Sequence, residues 1–107
     1  MNPAYRYRAT VTRWVDADTL DLDVDLGFRI VTRIRVRLAR IDAPERGAAG
    51  HPAALAEAQR LAPVGSAVTV ATAKGDRHGR WIGEIETAGG VNLSAELLRL
   101  ELARVYA

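Results

Sequence analysis

The chain has 107 residues, about half of them hydrophobic, with no cysteine and a net charge of +2. This length fits one small globular domain over residues 1–107 and leaves no room for a second core. The absence of cysteine excludes a disulfide framework and a thiolate metal site, and no apolar run approaches membrane-spanning length.

The amino terminus, Met1 to Tyr7, carries arginines but no apolar signal-peptide core, so the default expectation is the cytoplasm, with no membrane partner. The basic residues are nearly all arginine, with Lys74 the sole lysine. Arginine suits phosphate because its planar fork donates paired hydrogen bonds, although GC-rich codon usage would raise arginine and alanine together.

Taken in chain order, Tyr5, Tyr7, Ala9 and Val11 alternate with Arg6, Arg8, Thr10 and Thr12, the period of a half-buried strand. Leu20 to Leu26 alternate with Asp21, Asp23 and Asp25 and end at Gly27. After that turn, Ile34, Val36 and Leu38 alternate with Arg33, Arg35 and Arg37. Three alternating runs with short connections predict an antiparallel meander. The Asp and Arg rows are then expected to pair across neighbouring strands, which accounts for Asp21, Asp23, Asp25, Arg33 and Arg35 as ordinary strand-face charges.

Pro52 stands where a first helical residue is often found. Leu55, Ala58, Leu61 and Ala62 follow at helical spacing, and Pro63 with Gly65 stops the helix. Val68–Ala73 and Trp81–Thr87 read as two further strands around the polar turn 74–79, and Ala88-Gly89-Gly90 is another turn. A second helix begins at Asn92 or Ser94, with Leu93, Leu97, Leu98 and Leu102 as its apolar stripe. Five strands and two helices predict an α+β, mainly β fold, a five-stranded OB-fold barrel with two packed α-helices.

Asp16 and Asp18 precede the second strand, and Asp42 and Glu45 follow the third. If those strands are antiparallel neighbours, both pairs lie at one end of the sheet. Two carboxylates about 5 Å apart repel by roughly 3 kcal/mol at an effective dielectric near 20, so such a cluster calls for a cation. Oxygen ligands with no Cys or His nearby favour a hard one, Ca²⁺ or Mg²⁺. The run Asp21-Leu22-Asp23-Val24-Asp25 imitates an EF-hand loop, but the required Gly and Glu positions hold Leu26 and Thr32. His51 and His78 have no partner at ligand spacing and read as surface loop residues.

Four segments, V-D-A-D-T-L, V-R-L-A-R-I-D-A-P-E, K-G-D-R-H-G-R-W and V-N-L-…-L-A-R-V-Y, resemble the thermonuclease (staphylococcal nuclease-like) family in order and spacing. Each is weak alone and the four together are specific. The resemblance implies an OB-fold barrel and Ca²⁺-dependent cleavage of DNA and RNA. It implies Asp18, Asp42 and the backbone carbonyl of Ala43 as Ca²⁺ ligands, with Asp16 assisting the metal through water. Glu45 becomes the general base or water-orienting group, and Arg37 and Arg80 hold the scissile phosphate.

The chain departs from that pattern in places. Ala17 replaces a glycine, and His78 stands where tyrosine is frequent, beside the phosphate-binding Arg80, which makes it a candidate substrate contact. Glu101 replaces a glycine that ends the second helix, so that helix is expected to continue through Glu101. Tyr106 corresponds to a tyrosine near the substrate pocket. The short carboxyl-terminal segment leaves self-association open beside the expected monomer. The alternative to an enzyme is a non-catalytic OB-type domain that binds nucleic acid or protein.

Overall fold

The computed structural model describes residues 5–75 and 80–106. Its strands are β1 (Tyr5–Asp16), β2 (Thr19–Asp25), β3 (Val31–Leu38), β4 (Ile41–Asp42), β5 (Ala67–Gly75), β6 (Trp81–Thr87) and β7 (Arg104–Val105), and its helices are α1 (His51–Leu61) and α2 (Leu93–Arg99). The first three strands form the expected antiparallel meander. The barrel closes in the order β1-β2-β3-β6-β5, with β3 and β6 parallel where Val36–Leu38 meet Trp81–Gly83. This is the five-stranded OB-fold-like barrel with two helices that the pattern predicts.

Alternation decides which way each strand faces. Leu20, Leu22, Val24, Val36 and Leu38 are buried in the barrel, and the charged rows lie outside. There the register sets Asp21 opposite Arg35 and Asp23 opposite Arg33. Each arginine donates a forked pair of hydrogen bonds, from Nε at 2.8 Å and from Nη2 at 3.1 or 3.2 Å. The Arg33 fork holds the Asp23 carboxyl below its ordinary range.

The first strand outruns its alternation and reaches Asp16. Register shifts between Val11 and Arg13 and between Trp14 and Asp16 bend it, so it pairs with β5 over Tyr5–Thr10 and with β2 over Ala9–Asp16. Trp14 is buried at the bend, and its indole N–H donates to the Ala62 carbonyl at 2.8 Å, fixing the strand to the end of α1. Ala58, Ala62, Leu93 and Leu97 from the helical segments join Val11, Leu20 and Ile85 in one core.

Helix α2 opens on an Asn92 cap, whose side-chain oxygen accepts from the Ala95 N–H at 2.9 Å. Its end differs from the expectation. The helix stops at Arg99, and Glu101 adopts the left-handed conformation with φ +60. The Glu101 N–H donates to the Leu98 carbonyl at 3.0 Å and the Leu102 N–H to the Leu97 carbonyl at 2.9 Å, the pairing of a Schellman cap. Those two bonds, with Leu102 packed on the core, outweigh a left-handed cost of about 1–2 kcal/mol.

Candidate active site

The tight turn between β1 and β2 carries Asp18, and two of its three contacts lock it to the other side of the site. The Asp18 carbonyl accepts from the Leu38 N–H at 2.8 Å, tying the turn to the end of β3. Its carboxylate accepts from the Thr19 hydroxyl at 3.1 Å on Oδ1 and from the Ala43 N–H at 3.1 Å on Oδ2. The segments read as two halves of a site are therefore hydrogen-bonded neighbours. Ala17 is fully buried with Ala43 and Ala54 behind the turn. It is not among the positive-φ residues, so an alanine there needs no strained backbone.

Arg37 lies opposite Thr19 in the β2–β3 register. Its Nη2 is 3.7 Å from Asp42 Oδ1 and 4.0 Å from Asp18 Oδ2, and its side chain is only 13% exposed. Nη1 donates to the Leu38 carbonyl at 3.4 Å. The guanidinium thus stands between two carboxylates without forking onto either. The Tyr106 ring covers it, with Arg37 Cζ 4.6 Å from the ring centroid. The two-residue pairing of β4 with β7 and a 2.9 Å hydrogen bond from the Tyr106 N–H to the Arg40 carbonyl bring Tyr106 there.

Asp16, Asp18, Arg37, Asp42, Ala43, Pro44, Glu45 and Arg80 line one cleft of about 210 Å³. A neighbouring hollow of about 470 Å³ shares Asp42 through Glu45 and reaches Leu102 and Arg104. The structure therefore brings Asp16, Asp18, Arg37, Asp42, Ala43, Glu45 and Arg80 together and sets Tyr106 against Arg37. His78 lies outside the described residues.

Three residues near the site carry no signal in the sequence. His51, read there as a surface residue, is instead the first residue of α1 and is 9% exposed. Its Nε2 is buried with no hydrogen-bond partner, 3.5 Å from Asp16 Oδ1. Beside it, a Cβ on Gly50 would sit 3.1 Å from Pro44 Cγ, so the start of the helix is tucked against the turn after β4. Arg46 donates to Asp16 Oδ1 at 3.2 Å and to the Val15 carbonyl at 2.6 Å. Arg40, with φ +72, donates to both Glu84 carboxylate oxygens at 2.6 and 2.9 Å, which holds the Glu84 carboxyl below its ordinary value.

The donors in the cleft are carboxylates and backbone carbonyls, the set a hard cation prefers. Among the described residues, no group of three His, Cys, Asp or Glu side chains is gathered so as to hold a metal ion. In this arrangement Arg37 supplies the counter-charge to Asp18 and Asp42.

A five-stranded OB-type barrel with an acid-and-arginine cleft at the end of β3 defines a class of protein, and comparison places the chain within it. The family model for staphylococcal nuclease homologues matches residues 35–107, and the chain belongs to that family. It is 30% identical over 96 residues to a protein of Escherichia coli O157:H7 described as an uncharacterized endonuclease. The match covers 90% of this chain and 59% of that protein, so the chain spans less than two thirds of the relative's length. Among the described residues no helix is long and apolar enough to cross a membrane.

Proposed function

We propose that this chain is a nuclease, a Ca²⁺-dependent phosphodiesterase that hydrolyses DNA and RNA with little base specificity. Residues 1–107 are read as one domain, a reading supported by the larger core cluster, which joins the barrel to both helices. The observation that carries the proposal is Arg37 standing between Asp18 and Asp42 in the cleft that Glu45 and Arg80 also line.

Asp18, Asp42 and the Ala43 carbonyl would hold the Ca²⁺, with Asp16 assisting through water. When bound, the ion supplies Lewis-acid polarisation of a phosphoryl oxygen. The chain's own groups do the rest. Arg37 and Arg80 bind the scissile phosphate and stabilise its equatorial oxygens as charge redistributes. Arg37 is preorganised for this, because its fork is not committed to a single carboxylate. Glu45, exposed at the mouth of the cleft, accepts the proton of the water that attacks phosphorus as the bond to the leaving oxygen breaks. Tyr106 holds Arg37 from above and borders the substrate, and His78 is assigned a substrate contact. A site that grips phosphate reads no base edge, which accounts for weak sequence preference.

Incubating single-stranded DNA with the purified chain and Ca²⁺ is expected to give fragments, which chelator and Glu45→Ala both abolish. Tight binding without cleavage would instead identify a non-catalytic OB-type binding domain.

A further inference from the structure

Glu45 sits on an exposed loop, yet a general base works only when held in place, so what holds that loop matters for any reaction in the cleft. Two backbone hydrogen bonds shape it: the Ala48 N–H donates to the Glu45 carbonyl at 2.9 Å, and the His51 N–H to the Ala48 carbonyl at 3.1 Å. Both are local, and neither ties the loop to the barrel. The residue after Glu45 does. Arg46 reaches back to the end of β1 and donates to Asp16 Oδ1 at 3.2 Å and to the Val15 carbonyl at 2.6 Å. On the far side of Asp16, the buried His51 Nε2 lies 3.5 Å from the same Oδ1. Asp16 thus links β1 to the loop after β4 and lies beside the first residue of α1.

We propose that Arg46 is a positioning residue: by clasping Asp16 and the Val15 carbonyl it fixes the loop that aims Glu45 into the cleft. The catalytic consequence rests on the nuclease reading; the clasp itself does not. Two neighbours fit this role. Pro44 packs closely on Gly50 on one side of Glu45, and Arg46 anchors the other, so Glu45 is restrained from both directions. Arg46 spends one donor on a neutral carbonyl, a contact that serves geometry rather than charge.

The test compares Arg46→Ala and Arg46→Gln in the whole chain. Glutamine is neutral but still has an N–H₂ group to give to Val15 or Asp16. The Arg46 side chain is 68% exposed, so both variants should fold. With single-stranded DNA and Ca²⁺, Arg46→Ala is expected to lower kcat about tenfold with KM changed less than about twofold, the signature of misplaced catalytic geometry. Arg46→Gln is expected to recover most of that kcat. A raised KM with kcat intact, or a glutamine variant as poor as alanine, would mean that Arg46 acts on substrate through its charge and would overturn the proposal.

Amide hydrogen exchange gives a readout without substrate. The Ala48 and His51 amides should exchange faster in Arg46→Ala than in the unaltered chain, while those of α2 stay unchanged. Unaltered protection at Ala48 and His51 would equally overturn the clasp. Absence of cleavage by the unaltered chain would count against the nuclease reading and leave the clasp to be decided by exchange.

Discussion

Two regions of this small barrel are built from the same residues and behave differently. On the outer face of β2 and β3, Asp21 and Asp23 meet Arg35 and Arg33 in register, and each arginine forks onto one carboxylate with its closest contact at 2.8 Å. At the end of the same two strands, Arg37 faces Asp18 and Asp42 at 4.0 and 3.7 Å and forks onto neither. In the ladder each arginine is committed through Nε and Nη2 to one carboxylate. In the cleft Asp18 is held by Thr19 and Ala43 instead, so Arg37 balances two acids without forking onto either. One arginine is paired on a sheet face; the other is held between carboxylates by backbone and tyrosine.

That contrast can be broken from the cleft side first. Arg80→Ala is expected to reduce cleavage of single-stranded DNA on the order of 10³–10⁵-fold, the loss seen when a charge-stabilising arginine is removed from phosphoryl-transfer sites. A loss below tenfold would remove Arg80 from the mechanism. Asp18→Ala should also destabilise the fold, because the Ala43 N–H loses a charged acceptor. About 1.5–3 kcal/mol is expected in denaturant unfolding, and an unchanged midpoint would show that Asp18 does not join the two halves of the site.

Smaller effects sharpen the picture away from the cleft. Glu101→Gly should stabilise the chain by about 0.5–1 kcal/mol, the relief of a left-handed non-glycine residue less the added freedom of the unfolded chain. Destabilisation would mean that the Glu101 side chain itself supports the turn. Glu84 supplies a pH dependence. Its folded value lies below the ordinary 4.5 because Arg40 hydrogen-bonds it, so its contribution is complete above that value and is lost as pH falls through the lowered one. Unfolding midpoints of the chain and of Glu84→Gln should therefore differ at pH 7 and converge below about pH 4.5. A gap that widens on acidification would reverse the assignment.

Much of this was legible because alternation is a local property. Leu20, Leu22 and Val24 and the run Ile34 to Leu38 state their inward faces directly, although Leu26, read in the same run, is exposed, and the register then follows from a short turn. The cleft was legible only as fragments at two strand ends, which become one site once β2 and β3 are neighbours. What stayed hidden depends on distant partners or on competition between terms. Arg46 and Asp16 are 30 positions apart, Arg40 and Glu84 are 44 apart, and neither pair follows a period. His51 is polar and follows a glycine-rich turn, which reads as surface, yet it is buried where Gly50 packs on Pro44. At Glu101, propensity favours a longer helix, and two capping bonds with Leu102 packed on the core prevail. The strand pair β4–β7 is too short for any pattern.

The most direct test sets Arg37→Ala beside Arg35→Ala, two arginines two positions apart on one strand, and measures Ca²⁺-dependent cleavage of single-stranded DNA. A loss on the order of 10³–10⁵-fold is expected for Arg37 and a change within about threefold for Arg35, whose exposed pairing with Asp21 is worth little. Equal losses in the two variants, or near-unaltered cleavage by Arg37→Ala, would contradict that expectation.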